Sequence, residues 1–203
     1  MVEGAQRGRG GAAGPLRQSD GLPLPRSGEE LVKSRTLGFI VALAVFALDQ
    51  LVKWIVTGPL QVNFVGAQHY LLPFFQFTYT QNQGISLGLL NATTEIGRWM
   101  LVGLTSAIAI GVAFWISREE NRTDQVALGM VLGGALGNIL DRTLHGYVVD
   151  FADLHFGEWR PFLIFNVGDA AISIAVVILL LRAFLSRKDQ AKGSSPKEIQ
   201  EDA

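Results

Sequence analysis

Phe162-Leu163-Ile164-Phe165-Asn166-Val167-Gly168-Asp169-Ala170-Ala171-Ile172-Ser173-Ile174-Ala175-Val176-Val177-Ile178-Leu179-Leu180-Leu181 is a run of twenty residues with a single charge. A helix needs about 17–25 apolar residues to cross a bilayer, so this run reads as a membrane span. An ionisable group is expensive at that depth, which makes Asp169 a functional candidate by default. Three more apolar runs lie at about 37–56, 99–116 and 126–140. The third is short, but its flanks can extend it. The expectation is an all-α integral membrane protein with four transmembrane helices.

Composition agrees. The chain has 203 residues, enough for one domain, with 49% hydrophobic residues and 17% charged ones; soluble domains carry about 25% charged. With no cysteine, a thiol nucleophile, a thiolate metal site and a disulfide frame are excluded. The net charge of −1 says little. The first run is longer than the 7–15 residues or so of a signal-peptide core. It also carries Asp49, Gln50 and Lys53 near its end, so it reads as a retained helix. Residues 1–35, rich in Gly, Arg, Pro and Ser, read as a disordered tail. Residues 36–185 form the membrane domain, and 186–203 a second polar tail.

Lys and Arg set the orientation. Six precede the first run, two lie in 117–125 and five follow Leu181, whereas 57–98 holds one. Both tails and the 117–125 loop are therefore expected in the cytoplasm. Loops 57–98 and 141–161 then face outward. Within the first outer loop, residues 74–80 are aromatic and β-branched with partial alternation and read as a strand. Residues 62–65 and 70–72 are candidate partners in a small sheet at the membrane surface. Gly129, Gly133 and Gly137 form a small-residue stripe that lets another helix approach closely.

On this topology the intramembrane polar residues share one level. Asp49 lies roughly 18–20 Å along an outward-running helix, and Lys53 follows one turn later. Asn138 and Arg142 end the third helix, while Asn166 and Asp169 begin the fourth. The pairs Asp49–Lys53 and Asn138–Arg142 are i,i+4 and Asn166–Asp169 is i,i+3, so each helix presents two polar side chains in one direction. Asp150, in Val148-Val149-Asp150-Phe151, adds a second carboxylate at the outer level. Two nearby carboxylates in a low-dielectric site share a proton, so one serves as general base on water and the other as general acid. Plainer readings stay open: Asp169 as a helix-dipole partner, Asp150 as a loop acid paired with Arg142 or Arg160, Asp49–Lys53 as a structural pair, and the asparagines as interhelical bonds. Asp141 is assigned to another helix face and Asp153 to the surface. His69, His145 and His155 lack metal-ligand spacing.

Five blocks, in order, resemble lipoprotein signal peptidase, the type II signal peptidase of bacteria: Asp49-Gln50-Leu51-Val52-Lys53, Asn82-Gln83-Gly84-Ile85-Ser86-Leu87-Gly88, the run Gly133 to Arg142, Val149-Asp150-Phe151, and Phe165-Asn166-Val167-Gly168-Asp169-Ala170. The resemblance spans roughly residues 36–185. It implies an aspartic endopeptidase of the bacterial inner membrane, with Asp150 and Asp169 as the catalytic dyad near the outer face. Asn82, Gly84, Asn138, Arg142 and Asn166 are implied as support for the site or substrate, with Asp49 and Lys53 as the first helix's contribution. The implied substrate is a diacylglyceryl-modified prolipoprotein, cut on the amino side of its lipidated cysteine. Membrane lipids are further partners, nucleic acid and cofactor have no part, and a monomer is permitted. Ile85, Leu87 and Gly168 depart from the family's usual Ala, Phe and Ala, which bears on packing. The long tail is a local addition or a start placed too early. Residues 74–79 are expected to serve substrate engagement more than the dyad. A proton-coupled transporter or channel is the alternative use of such carboxylates, but it would more often show inverted repeats and broken helices near the midplane.

Overall fold

The computed structural model describes residues 28–84 and 94–193, with side chains over 36–84 and 94–185. Four helices and one sheet follow in the order α1 (Gly28–Thr57), β1 (Gln68–Leu72), β2 (Phe75–Asn82), α2 (Glu95–Ile116), α3 (Arg122–His145), β3 (Val148–Leu154) and α4 (Val167–Gly193). Helix α1 starts eight residues before the position-36 boundary drawn from composition. Helix α3 packs against all three of the others.

Among the described residues, three helices are long and apolar enough to cross a membrane: Thr36–Thr57, Glu95–Ile116 and Val167–Leu185. Helix α3 is not among them, although it has 24 residues. The reason is its position. Surrounded by helices, it trades bulky apolar side chains for Gly129, Gly133, Gly134 and Gly137, and it buries Gln125, Asn138 and Asp141. The other helices turn Ile40, Leu43, Trp54, Ile110, Phe114 and Phe184 outward, all more than half exposed, as lipid-facing surfaces are.

The glycine stripe acts as the spacing suggests. A Cβ at Gly129 would meet the Gly38 carbonyl, one at Gly133 the Ala42 carbonyl, and one at Gly137 the Asp49 carboxylate. All three face α1. Gly134, one position off the stripe, lets α4 in, since its Cβ would press on the Gly168 carbonyl. Helix ends are set locally. The Asn121 side chain accepts from the Thr123 and Asp124 amides to start α3, and Gly146 closes it with φ 87°, a left-handed turn that glycine adopts without a Cβ clash.

The sheet is antiparallel in the order β1-β2-β3. It differs from expectation at two places. Residues 62–65 are not a strand; they run irregularly from Gln61 at φ 57° into a turn that contains Gly66 at φ 88°, and Val62 is buried in the core instead. The third strand comes from the 141–161 segment, read from sequence as loop. Strand β3 pairs Thr80 with Asp150 and Gln76 with Asp153, with a bulge in β2 between Phe77 and Thr80. A core of Val56, Val62, Tyr79, Val149 and Phe151 joins the sheet to the end of α1. That contact fixes β3 against the helices and so places Asp150.

Candidate active site

The site begins with how α4 starts. The Asn166 side-chain oxygen accepts from the Asp169 amide at 2.9 Å, and the Asp169 Oδ2 accepts from the Asn166 amide at 3.3 Å. This is a reciprocal capping box, which satisfies two amides that a helix start leaves without partners. Asp169 thus does complement the helix start, and the same bonds orient its carboxylate. Its Oδ1 accepts from Asn138 Nδ2 at 2.9 Å.

Asn166 reaches both aspartates. Its Nδ2 donates to Asp150 Oδ1 at 2.7 Å and to Asn138 Oδ1 at 3.1 Å. The other Asp150 oxygen accepts from Asn82 Nδ2 at 3.0 Å, and the Asn82 Oδ1 accepts from the Gly84 amide at 3.0 Å. Strand β2 therefore carries a donor to the acid on β3. The rest of the Asn82 block, residues 85–88, lies outside the described residues.

Burial pushes the Asp150 carboxyl up to about 7, helped by the neighbouring Asp169 charge and opposed by the Asn82 and Asn166 hydrogen bonds. Asp150 and Arg142 line a cleft of about 810 Å³, with Thr80, Asn82 and Gly84 on one wall and residues 160–164 on another. Arg142 Nη1 lies 3.5 Å from the Asn138 carbonyl, and its Nε has no partner among the described residues. A second, largely apolar cavity of about 350 Å³ runs from Asp169 along α4 past Ala170, Ser173 and Ile174. Phe162 and Leu163 line both cavities.

Asp49 and Lys53 stand behind the two aspartates. Lys53 Nζ pairs with Asp49 at 2.7 Å and with Asp141 at 2.8 Å. Asp141 was assigned away from the site; it is 2% exposed and part of this cluster. The signal was in the spacing, because 129, 133, 137 and 141 form one row of α3 toward α1. Gly134, Asn138 and Arg142 form the neighbouring row toward α4. Asp153, assigned to the surface, is 1% exposed. Its carboxylate accepts from Gln76 at 2.9 Å, Thr78 at 3.0 Å and Arg160 at 3.1 Å. Three residues along one strand, Asp150 and Asp153 fall on opposite faces of the sheet. Arg160 therefore belongs to Asp153, not to Asp150. Among the described residues, no group of three or more His, Asp or Glu is placed to hold a metal ion.

Residues 41–185 match the family model described as signal peptidase (SPase) II. The "Lipoprotein signal peptidase" of Sphingopyxis alaskensis is 53% identical over 148 residues, covering 73% of this chain and 85% of the relative. That of Rhizorhabdus wittichii is 51% identical, covering 76% and 89%. A solved bacterial membrane enzyme, determined by the in meso method at 2.3 Å resolution, superposes with a TM-score of 0.64 at 26% identity, covering 80% of this chain and 94% of that one.

Proposed function

The chain belongs to the signal peptidase II family, and on that premise we propose that it is an intramembrane aspartic endopeptidase with Asp150 and Asp169 as its dyad. It acts on lipoprotein precursors. The substrate is a prolipoprotein whose lipobox cysteine carries a diacylglyceryl group, and the bond cut lies on the amino side of that cysteine. One observation carries the reading: Asn166 is hydrogen-bonded to both aspartates, one of which opens into the large cleft.

With its carboxyl raised to about 7, Asp150 holds a proton near neutrality and serves as the acid. Asp169, steadied by Asn138 and the α4 start, serves as the base. Asp169 takes a proton from water as the hydroxyl adds to the scissile carbonyl carbon, and Asp150 gives its proton to the carbonyl oxygen. The tetrahedral diol then collapses. Its C–N bond breaks, the proton on Asp169 passes to the departing cysteine nitrogen, and Asp150 recovers the hydroxyl proton as the carbonyl re-forms. The partnerless Nε of Arg142 is available to a peptide carbonyl in the cleft. The apolar cavity along α4 takes an acyl chain.

In the membrane, all four helices span. Helix α3 crosses as an inner helix shielded by its neighbours, which removes the need for its own lipid-facing hydropathy. The Lys and Arg distribution favours both tails in the cytoplasm and the sheet on the outer side of the bacterial inner membrane. A lipid-anchored substrate meets the dyad there, with its peptide bond near the headgroups.

The test is cleavage of a purified diacylglyceryl-prolipoprotein in detergent, followed by gel shift. Wild type should cut, and Asp150→Asn and Asp169→Asn should each lose nearly all turnover while still binding substrate. Near wild-type cleavage by either variant would remove that residue from the dyad.

A further inference from the structure

Each dyad aspartate follows a residue whose amide is held by another aspartate. The Gly168 amide, just before Asp169, donates to Asp49 Oδ1 at 2.9 Å. The Val149 amide, just before Asp150, donates to Asp141 Oδ2 at 3.1 Å. Lys53 joins the two acceptors, at 2.7 Å to Asp49 and 2.8 Å to Asp141. Gln50 Nε2 joins them again, at 3.2 Å to each. Asp49, Lys53 and Asp141 are all 5% exposed or less. Gly137 leaves room for the cluster, since a Cβ there would strike the Asp49 carboxylate. None of the three charged groups lines either cavity described above.

We propose that Asp49, Lys53 and Asp141 form a charged brace that sets the separation of the two dyad aspartates by gripping the backbone one residue ahead of each. The inference rests on the dyad reading above. The brace ties three helices and a strand to one ammonium group. Asp49 comes from α1 and fixes the start of α4, while Asp141 comes from α3 and fixes β3. Bonds from backbone amides to a carboxylate are charge-assisted and directional, which suits the holding of a backbone position. Asp49, Lys53 and Asp141 are thus positioning residues. Neither acid of the brace takes part in proton transfer. Lys53 also lies 3.5 Å from Asn138 Oδ1, so the brace touches the asparagine that steadies Asp169.

A positioning role separates turnover from binding. Misplacing a reacting group by about 1 Å costs about 100-fold in rate. The experiment compares wild type, Asp141→Asn, Asp49→Asn and Asp150→Asn on diacylglyceryl-prolipoprotein. Active sites are counted by saturation binding of a diacylglyceryl peptide with a reduced scissile bond. Turnover per binding site should fall by about 100-fold in Asp141→Asn, with KM within about twofold of wild type. Amide exchange should quicken at Val149 in Asp141→Asn and at Gly168 in Asp49→Asn, each leaving the other amide protected. Turnover per site within threefold of wild type in Asp141→Asn, with Asp150→Asn inactive, would overturn the brace alone. Cleavage by Asp150→Asn would remove the dyad reading and the brace with it. If Asp141→Asn does not fold, exchange in the wild type decides. Strong protection of both amides supports the brace, and exchange at the rate of an exposed loop in either overturns it.

Discussion

Replacing Gly134 by alanine puts a methyl group where α4 crosses α3. Its Cβ would press on the Gly168 carbonyl oxygen and lie 3.0 Å from both the Gly168 carbonyl carbon and Ile172 Cγ1. Ordinary contact begins at 3.4 Å and runs to 4 Å, so the helices must part by roughly 0.4–1 Å. The tightest clash is with the Gly168 backbone, so the strain cannot be absorbed by a side-chain rotation. Gly168 precedes Asp169, while Asn138, one turn beyond Gly134, bonds to the Asp169 carboxylate. Parting the helices lengthens that bond and moves Asp169 away from Asp150. A shift approaching 1 Å costs about 100-fold in rate, or roughly 2.7 kcal/mol of transition-state stabilisation. Overpacking costs about 1–3 kcal/mol of stability, partly offset by roughly 1 kcal/mol of helix propensity. The protein should therefore stay folded while turnover collapses. Gly103→Ala is the control, because nothing lies within 4 Å of a Cβ there. Lipopeptide cleavage per folded enzyme would be measured for both. Gly134→Ala within threefold of Gly103→Ala would refute the claim that this helix crossing positions Asp169.

Because the Asp150 proton is held at about 7, kcat/KM should fall as pH rises through that value. Asn82 lowers the Asp150 value, so Asn82→Ala should move the alkaline limb upward; an unmoved limb would discount the bond. The raised value also makes ionised Asp150 destabilising. An unfolded aspartate releases its proton near 3.9, so this group's contribution declines as pH rises from about 4 to 7, and Asp150→Asn should flatten that slope in thermal unfolding. Asp153 works in the opposite sense. Burial raises its carboxyl, but bonds from Arg160, Gln76 and Thr78 outweigh that and hold it below the usual range. Its contribution is complete above about pH 4 and is lost as pH falls through the folded value. Arg160→Gln should cost about 1 kcal/mol at neutral pH, since the arginine is half exposed, and less once acid has protonated the Asp153 carboxyl. Equal losses at neutral and acid pH would count against the pair. Phe77→Ala removes an edge-to-face contact with Phe151, 5.5 Å between ring centres. It should lower turnover, because Phe151 adjoins Asp150, as well as stability, by less than the roughly 3–5 kcal/mol of a fully buried phenylalanine, since Phe77 is half-buried. Unchanged turnover would show the aromatic face to be independent of the dyad.

Much of this arrangement was legible from helical spacing. Asn138 and Asp169 sit on helices and Asn166 caps one, where i,i+3 and i,i+4 offsets fix direction, and the structure brings them together. Asp141 was missed although it continues the glycine row, because Arg142 beside it carried the more obvious polar pattern. Asp153 was misplaced for a different reason. Two of its three donors come from β2, more than seventy residues away, and no local pattern announces them. Strand β3 was hidden too. Val148-Val149-Asp150-Phe151-Ala152-Asp153-Leu154 is buried along nearly its whole length, so it lacks the alternation that marks a half-exposed strand. Residues 74–79 also have a structural part that their aromatic pattern did not announce. Strand β2 pairs directly with the strand that bears Asp150, so it helps hold that residue's backbone in place.

The capping box at the start of α4 has a consequence for biosynthesis. Asp169 takes its orientation from the same bonds that begin α4. Chains leave the ribosome amino end first, so the first three helices and Asp150 are made before that helix exists. Until α4 has formed its first turn and docked beneath Gly134, the chain holds one aspartate without its counterpart. If the two aspartates act together as proposed, a nascent chain is inert toward neighbouring precursors until α4 docks. On the proposed dyad, competence to cleave arrives with α4.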